Sequence, residues 1–459
     1  MADNNSNHSD TNSFLTRLLK KLYRNWKPFL AGVLITVLSG AVFFSVYLNL
    51  GPLAAPSSPT SLSAYRKTRQ IQDIIRRYYL NDIDEQAETD TMYLGLVTGL
   101  GDKYSTYYTA EQYSKIKMSN DGKMEGIGIT ISKSEENKAL KIESVMKNSP
   151  AEKAGLQEGD LITVLNGKGT EDMTSSDAVS LIQNSDSDQV TMTVVSASGG
   201  DPREVTLTKK TLTRDVVTGS MLDGDIGYIQ ITSFNRLTSD QFQNAFDSLN
   251  QQGMKGLIID LRDNLGGLVS ACCDTLRIFM PEGPLVYEQD RNGEERQRDN
   301  DTDHRTSLPV VLLVNGNTAS ASEMFAGAVL DYNVGIAVGT VTYGKGIEQD
   351  SYTLSDGSVL KITTTHYYTP DHHDVNGSGI TPNITVEADK DNSSDIQLEK
   401  ASAVIREELS GKTADQVIKE NGGTSDNYSS SDSENAEAGD VSSVSGTADG
   451  NAPDTSSRS

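Results

Sequence analysis

Gly256-Leu-Ile-Ile-Asp-Leu-Arg262 is an almost uninterrupted apolar run that leads directly into Asp263-Asn-Leu-Gly-Gly267. An apolar run of this length is typical of a β-strand that is buried on both faces. A second run, Pro309-Val-Val-Leu-Leu-Val-Asn315, leads into Gly316-Asn-Thr-Ala-Ser-Ala-Ser-Glu323 and a helix of small residues that continues through Leu330. Buried strands that alternate with helices predict an α/β core.

The segments around these two runs extend the same alternation. Apolar periodicity and glycine positions predict the remaining elements of the core. They are a strand over Ile226–Ile231, helices over Ser239–Leu249 and Leu268–Phe279, a strand over Gly335–Val338, a loop over Thr342–Gln349 and a strand over Leu360–Tyr368.

Residues 126–207 have a different pattern, with short strands, two short helices and an Asn166-Gly167 turn. This block resembles a PDZ domain of the bacterial type. The matching motifs are Gly126-Ile-Gly-Ile129, Ser149-Pro-Ala-x-x-Ala-Gly-Leu156, Gly159-Asp160 and a helix that carries Ala178 and Ile182.

A PDZ domain adds a peptide as an extra strand and holds the terminal carboxylate with backbone N–H groups. The resemblance implies that Ile127, Gly128 and Ile129 supply those N–H groups, and that Ala178 and Ile182 belong to the peptide-binding helix. The alternative is that Gly126 and Gly128 only shape the entry into a strand.

The core resembles the C-terminal processing peptidases, also called tail-specific proteases, over about Tyr65 to Leu409. The best motifs are Asp260-Leu-Arg-x-Asn-x-Gly-Gly267, Ala319-Ser-Ala-Ser-Glu323 and Tyr343-Gly-Lys-Gly346. The resemblance implies a spiral α/β protease core interrupted by the β-rich PDZ domain.

Site roles follow from this resemblance by motif position. It implies that Ser320 is the nucleophile, that Lys345 is the general base and that Gln349 orients the lysine. Backbone N–H groups of Ala321 and of the Gly266-Gly267 turn would form the oxyanion hole. Two departures are Leu265, where the family commonly has proline, and Asn317-Thr318, where it has Gly-Ser. Neither removes a catalytic group.

The chemistry is consistent with these roles. A serine hydroxyl is a weak nucleophile until a neighbour accepts its proton. Lysine can do so only when it is neutral, and with a pKa near 10.4 only ~0.04% is neutral at pH 7. Burial of Lys345 is the expected means of lowering that pKa. Ser320 would lie at a helix N-terminus, where unpaired N–H groups and the helix dipole favour a developing oxyanion.

The assignments of Ser320 and Lys345 have alternatives, some of which involve no catalysis. Ser320 can be a simple helix N-cap, and Ser322 is a competing nucleophile two residues later. Lys345 can be a solvated loop charge. His366 is an alternative base, although no paired acid motif accompanies it. Residues expected to have structural roles are Glu323 in the first helical turn, the pair Asp260 and Arg262, and the core cysteines Cys272 and Cys273.

Composition excludes several classes of function. The chain has 459 residues, 40 of them basic and 64 acidic, and a net charge of −24. Such a charge repels nucleic acid. The only two cysteines are adjacent and no His-Glu-x-x-His motif occurs, which argues against a disulfide framework and a zinc protease. No cofactor and no metal are expected.

The N-terminal region predicts a membrane anchor. A basic segment precedes residues 29–50, a run of 22 residues without a charged side chain. As a helix it would be about 33 Å long, enough to cross a bilayer. The positive charges predict a cytoplasmic N-terminus and an extracytoplasmic catalytic domain. A cleaved signal peptide and a buried helix are the alternatives.

The whole chain is therefore expected to have seven parts. They are a basic cytoplasmic segment (1–28), a transmembrane helix (29–50), a linker (51–64), a helical region (65–118), the PDZ domain (119–210), the serine peptidase core (211–409) and a disordered acidic tail (410–459). Residues 411–459 contain nine acidic and three basic residues and few aliphatic ones.

The predicted function is a membrane-anchored serine endopeptidase that cleaves protein substrates recognised at a free C-terminus. The expected partners are those protein or peptide substrates, the membrane, a second copy in a dimer formed through the helices near Tyr65–Tyr79, and a possible activating protein. A PDZ adaptor with an inactive core and an acyl-CoA hydratase-like enzyme are the rival hypotheses.

Overall fold

The computed structural model describes residues 16–17, 20–21, 23, 32–42, 61–134, 136–183, 187–389 and 394–428. The chain divides into two compact units, residues 1–88 and 89–459.

The helices from residue 61 onward are numbered here in chain order. They are α1 (Ser61–Tyr78), α2 (Glu85–Thr98), α3 (Ala110–Asn120), α4 (Pro150–Lys153), α5 (Ser175–Gln183), α6 (Thr238–Gln251), α7 (Val269–Leu276), α8 (Ala321–Asp331), α9 (Ile396–Leu409) and α10 (Ala414–Glu420).

The strands follow the same numbering. They are β1 (Thr106–Tyr108), β2 (Lys123–Gly126), β3 (Ile129–Ser134), β4 (Ala139–Val145), β5 (Leu161–Leu165), β6 (Lys168–Gly169), β7 (Gln189–Val195), β8 (Arg203–Thr208), β9 (Lys210–Thr213), β10 (Val217–Leu222), β11 (Ile226–Ile231), β12 (Gly256–Asp260), β13 (Gly283–Asp290), β14 (Glu295–Asn300), β15 (Val310–Val314), β16 (Ile336–Gly339), β17 (Ile347–Thr353), β18 (Val359–Tyr368) and β19 (Ile384–Thr385).

A six-stranded sheet forms the centre of the core, in the order β10-β11-β12-β15-β16-β19. All neighbouring pairs are parallel except β10 and β11. Every residue of β12, β15 and β16 is buried. Alternate residues face two separate apolar clusters, with Leu312 in the one that includes α7 and α8, and Leu313 in the one that includes α9 and α10. The prediction of buried strands in an α/β core is confirmed.

A second sheet adjoins this core, in the order β1-β18-β13-β14 with β17 also paired to β18. The hairpin of β13 and β14 was not predicted. The predicted loop over Thr342–Gln349 is wrong beyond Gly346, because β17 begins at Ile347. Gln349 therefore lies on a strand, next to a break in register between Glu348 and Gln349.

The PDZ domain is a separate sheet with its own apolar cluster. Its strand order is β3-β4-β5-β7-β8, and β6 pairs with β5. The antiparallel pair β2 and β9 connects this domain with the rest of the chain. The single strand predicted over Gly126–Ile131 is interrupted, because Ile127 and Gly128 lie between β2 and β3.

The two ends of the chain are only partly described. Within the described residues, no helix is long and apolar enough to cross a membrane. Residues 32–42 are helical, and the remainder of the predicted span 29–50 lies outside the described residues.

The expected disorder of the tail is wrong for its first part. Residues 414–420 form α10, where Val417 and Ile418 are buried in the core. Residues 429–459 lie outside the described residues. These two adjacent apolar side chains pack this short helix into the cluster that includes α9.

Candidate active site

Three loops meet at the carboxyl ends of the parallel strands β12, β15 and β16. They contain the Gly266-Gly267 turn, Ser320 and Lys345, respectively. The carboxyl edge of a parallel sheet is the usual place for a functional site in an α/β protein. The structure thus gathers the three predicted catalytic loops at one edge.

Ser320 occupies the position directly before α8, with φ 59° and ψ −121°. A positive φ is unfavourable for a residue with a Cβ and indicates that the surroundings hold the backbone in place. The residue is partly exposed, in contrast to its neighbours Ala319 and Ala321. The turn therefore presents Ser320 at the surface of an otherwise buried segment.

The Glu323 carboxylate connects the serine loop to the lysine loop. Glu323 is fully buried. Its Oε2 accepts the backbone N–H groups of Ser320 and Lys345, both at 2.9 Å. Its Oε1 accepts the Gly344 N–H at 2.7 Å and the Thr342 hydroxyl at 2.5 Å. Glu323 was expected to be only a first-turn helix charge, and this bridging position was missed.

Tyr367 makes a second connection between the same two loops. Its side chain is fully buried. Its hydroxyl lies within hydrogen-bond distance of the carbonyl oxygens of both Ser320 and Lys345. Strand alternation on β18 could have suggested that one of His366 and Tyr367 faces the core, but the sequence did not show which partner it meets.

Lys345 is partly buried between these loops and β18. Its Nζ donates to Gln349 Oε1 at 2.9 Å and lies 4.7 Å from the centroid of the Tyr104 ring. Burial lowers the pKa of Lys345, and the nearby charge of Lys361 lowers it further, while Glu348, Asp102 and Glu323 oppose the shift. The pKa moves in the direction that a general base needs.

Gln349 is held on its other side by β18. Its Nε2 donates to Thr363 Oγ1 at 3.2 Å. The register break beside Gln349 is a β-bulge, a feature that redirects a side chain from the regular alternation. Lys345 and Gln349 are thus in direct contact, as the family resemblance implied.

The Gly266-Gly267 turn packs directly against Ser320. A Cβ on Gly266 would lie 3.0 Å from Ser320 Cβ and 2.9 Å from the Ala321 nitrogen. The Gly266 N–H already donates to Asn264 Oδ1 at 2.9 Å, which disfavours its predicted place in the oxyanion hole. In the described part of the chain, the N–H groups of Gly267 and Ala321 have no protein acceptor. Those two remain the candidate donors.

Several alternatives are weakened by burial or orientation. Ser322 is fully buried, and its hydroxyl has no hydrogen-bond partner within the described residues, so substrate cannot reach it. His366 is exposed on the face of β18 opposite to Tyr367. Cys272 and Cys273 are buried in the core, as predicted, and burial raises the pKa of both thiols.

The predicted structural role of Asp260 and Arg262 is also consistent with their contacts. The Arg262 guanidinium forms ion pairs with Asp260 at 2.6 Å and with Asp395 at 2.8 Å. Asp395 is the N-cap of α9. These contacts tie the end of β12 to α9 and do not involve the serine or lysine loop.

Of the two departures from the family motif, Asn317-Thr318 has hydrogen-bond partners in the structure and Leu265 is exposed. Asn317 Nδ2 donates to Asp263 Oδ1 at 2.8 Å, and the Thr318 hydroxyl donates to the Leu261 carbonyl at 2.9 Å. Leu265 is 70% exposed. The substituted residues therefore keep the serine and glycine loops in contact.

The predicted peptide-binding loop of the PDZ domain has the expected tight geometry. Gly128 has φ 83°, and a Cβ at this position would lie 2.3 Å from Ser149 Cβ. The Ile127 and Gly128 carbonyls accept from Ala151 and Met146.

The side chains predicted to line the peptide site are mostly core residues. Ile127, Ala178 and Ile182 are buried in the domain core, and Ile129 packs against it. Ala178 is fully buried, so its side chain is not available to a peptide. Val179, which was not predicted to line the site, is an apolar residue of α5 whose side chain is 41% exposed.

Comparison with known protein families identifies both parts of the chain. The sequence model of Peptidase family S41 matches residues 225–386, and that of the PDZ domain matches residues 115–195.

Curated relatives match most of the chain. A carboxyl-terminal-processing protease of Synechocystis is 33% identical over 315 residues, which are 68% of this chain and 74% of the relative. The carboxy-terminal processing protease CtpA of Bacillus subtilis is 31% identical over 79% of this chain and 78% of its own. Among solved structures, the photosystem II D1 C-terminal processing protease has a TM-score of 0.43 and 28% identity, covering 73% of this chain and 90% of its own.

Proposed function

The chain belongs to peptidase family S41 and is a serine-type peptidase, and from that premise we propose that it is a membrane-anchored endopeptidase with a Ser320–Lys345 dyad. Its substrates would be extracytoplasmic proteins that the PDZ domain recognises at their C-terminal ends.

In the proposed mechanism, neutral Lys345 takes the proton of the Ser320 hydroxyl as Oγ attacks the scissile carbonyl carbon. The carbonyl oxygen becomes an oxyanion, stabilised by the N–H groups of Ala321 and Gly267. Lysine then returns the proton to the leaving amine, and the acyl-enzyme forms. Water, deprotonated by Lys345, hydrolyses that ester and frees Ser320. Gln349 holds the lysine nitrogen throughout.

The observation that carries this proposal is the buried carboxylate of Glu323. It accepts the backbone N–H groups of both Ser320 and Lys345 and so fixes the two loops against each other. An adaptor with an inactive core would have no need for a partly buried lysine of lowered pKa on a loop that Glu323 ties to a strained, partly exposed serine. The arrangement favours the enzyme over the adaptor.

The test uses the full chain in detergent and an unfolded protein with an apolar C-terminus as substrate. We expect the parent to cleave it, and Ser320→Ala and Lys345→Met to lower kcat roughly 10²–10⁴-fold or more. Ser322→Ala is the matched control and should keep parental activity, because it removes only a buried hydroxyl that has no hydrogen-bond partner among the described residues. Cleavage that survives Ser320→Ala would refute the nucleophile assignment.

The apolar residues exposed around the site indicate the kind of substrate. Leu265, Val341 and Tyr343 are 70%, 44% and 47% exposed and lie in the glycine and lysine loops. Such side chains can contact an extended, unfolded chain.

An acyl-CoA substrate is disfavoured, since a PDZ domain has no role in binding one. Competition by a soluble peptide with a free C-terminus, but not by its amide, would support PDZ recognition.

The membrane anchor is proposed from the uncharged run at residues 29–50 and the basic residues before it. The full chain should stay with membranes after alkaline carbonate washing, and removal of residues 1–50 should release it. Digestion by external protease of the catalytic domain in intact cells would place that domain outside. Release of the full chain by carbonate would contradict the anchor.

A dimer through the N-terminal helices is proposed from exposed apolar residues of α1. Ile71, Ile74 and Tyr78 are 49%, 51% and 73% exposed. They recur at helical spacing and form an apolar stripe suited to a second copy. Light scattering should give a dimer mass for the parent and a monomer mass after deletion of residues 65–79. A dimer mass that persists after the deletion would exclude this interface.

A further inference from the structure

The segment Asp102-Lys-Tyr-Ser105 lies beside the lysine loop and was not predicted to belong to the site. It directly precedes β1, which pairs with β18 in the register Thr106↔Lys361. This pairing brings the segment next to Thr363, the β18 residue that contacts Gln349. The Thr363 N–H donates to Ser105 Oγ at 3.0 Å, which fixes the alignment.

A continuous hydrogen-bond chain runs from Asp102 to Lys345. Asp102 Oδ2 accepts from the Thr363 hydroxyl at 2.6 Å and from the Ser105 hydroxyl at 2.5 Å. Thr363 Oγ1 accepts from Gln349 Nε2 at 3.2 Å. Gln349 Oε1 accepts from Lys345 Nζ at 2.9 Å.

The chemistry of each group fixes the direction of this chain. An ionised carboxylate can only accept, so Thr363 must donate its single hydroxyl proton to Asp102. The Thr363 oxygen is then an acceptor for Gln349, which must present its NH₂ group there. The amide oxygen of Gln349 consequently points to Lys345. Hydrogen bonds from Ser105 and Thr363 outweigh the opposing effect of burial and lower the pKa of Asp102, so it stays ionised near neutral pH.

We propose that Asp102 is a positioning residue that, through Thr363 and Gln349, sets the orientation of Lys345 for proton transfer from Ser320. This inference rests on the proposed dyad. Asp102 accepts hydrogen bonds throughout the reaction, and no proton passes through it. Without its charge, Thr363 and the Gln349 amide can each adopt two orientations, one of which places an NH₂ group against the lysine.

The charge of Asp102 also has an effect that is separate from orientation. The charged and titratable groups around Lys345 are Asp102, Lys103, Tyr104, Glu323, Tyr343, Glu348, Lys361 and Tyr367. The negative charge of Asp102 favours protonated lysine and so raises the pKa of Lys345. Its removal should therefore shift the rising limb of the pH–rate profile to lower pH.

The experiment compares Asp102→Asn, Thr363→Val and Thr363→Ser in the full chain with the unfolded protein substrate. We expect the first two to lower kcat about 10- to 100-fold with little change in KM, because a misplaced catalytic group costs up to about 10²-fold. Thr363→Ser keeps the hydroxyl and should retain most activity. Only Asp102→Asn should also move the rising limb of the pH–rate profile to lower pH, since Thr363→Val keeps the negative charge of Asp102.

Two further variants distinguish this role from a structural one. In a Gln349→Ala background, Asp102→Asn should cause no additional loss of kcat, because both changes break the same chain. Asp90→Asn is the control, since Asp90 accepts from the Tyr107 hydroxyl in the same region and is not one of the four residues in the hydrogen-bond chain from Asp102 to Lys345. Parental kcat and pH profile in Asp102→Asn, or additive losses in the double variant, would overturn the inference. Activity in Ser320→Ala would instead overturn the proposed dyad.

Discussion

At the scale of single residues, Glu323 has the most consequence for the site. A glutamate in the first turn of a helix normally interacts with the helix dipole at the surface. Here it is fully buried and accepts four hydrogen bonds, from Ser320, Thr342, Gly344 and Lys345. Its charge is offset by donors from two loops, so it positions the proposed dyad without contacting substrate.

We predict that Glu323→Gln lowers both stability and activity. The amide keeps the shape but directs an NH₂ group at two of the four donors, leaving buried donors unpaired at about 1–3 kcal/mol each. Urea unfolding should show a loss of roughly 3 kcal/mol, and kcat should fall about 10²-fold or more.

Glu399→Gln is the matched control, because Glu399 is also in a first helical turn but is exposed. Equal effects of the two substitutions on stability would mean that the four hydrogen bonds of Glu323 contribute little.

Glu348, between Lys345 and Gln349, predicts a pH dependence of stability. Burial and the neighbouring Glu288 raise the pKa of Glu348 from 4.5 to about 7. Between these values the folded chain binds more protons than the unfolded chain, so stability is lost as pH rises through about 7. Glu348→Gln should therefore stabilise the protein by about 2–3 kcal/mol at pH 9 and have little effect at pH 5.

Urea unfolding of the parent and Glu348→Gln at both pH values measures this difference. The parent at each pH is its own control, since the substitution is nearly isosteric. An equal gain at pH 5 and pH 9 would show that ionisation of Glu348 is not its cause.

At the scale of elements, the Gly266-Gly267 turn determines the proposed oxyanion hole. Gly267 has φ 145°, and a Cβ there would lie 2.0 Å from the Phe234 carbonyl oxygen. We predict that Gly267→Ala displaces the turn and lowers kcat by about 10²–10³-fold, the usual effect of losing one oxyanion donor.

Gly253→Ala provides the comparison for this turn. Gly253 also has a positive φ, 85°, but nothing lies within 4 Å of the added Cβ. The Gly253→Ala substitution should lower the free energy of unfolding by only about 1 kcal/mol and leave kcat unchanged. Equal kcat for the Gly267→Ala variant and the parent would exclude the Gly267 N–H from the mechanism.

The elements also show what the sequence can and cannot predict. The runs over β12 and β15 are apolar at every position, so their burial and their loops were predictable from local pattern alone. The β13–β14 hairpin has polar residues such as Arg296 and Arg298 and no comparable pattern. Likewise, the partners of Gln349 depend on a β-bulge and on the segment before β1. Asp102 in that segment is 261 residues from Thr363 in sequence, so only tertiary pairing brings them together.

At the scale of the whole molecule, the C-terminal segment divides into two parts that the composition of residues 411–459 conceals. Averaged over that stretch, acidic and small residues dominate, which favoured disorder throughout. Its one adjacent pair of aliphatic residues, Val417 and Ile418, directly follows the capping box of Thr413 and Gln416. Residues 413–418 taken alone predict a short helix, whereas the mean composition of residues 411–459 does not.

The segment 411–428 contacts the apolar clusters on both faces of the central sheet. Val417 and Ile418 lie in the same apolar cluster as Ile258 and Val311. The Tyr428 hydroxyl donates to Asp331 at 2.6 Å, and its ring stacks on His373 with centroids 3.8 Å apart.

We therefore predict opposite outcomes for two truncations. A chain that ends at Tyr428 should unfold at the same urea concentration as the full chain, because every contact above is retained. A chain that ends at Ser410 should lose on the order of 5 kcal/mol, from about 1.5–3 kcal/mol for each buried aliphatic side chain and about 1 kcal/mol for each hydrogen bond. Val417→Ala in the full chain is the control that removes apolar contact without shortening the chain, and it should give an intermediate loss. If both truncations unfold like the full chain, the protease core is complete at Ser410 and α10 adds no stability. If both are destabilised equally, residues 429–459 must also contribute to the fold.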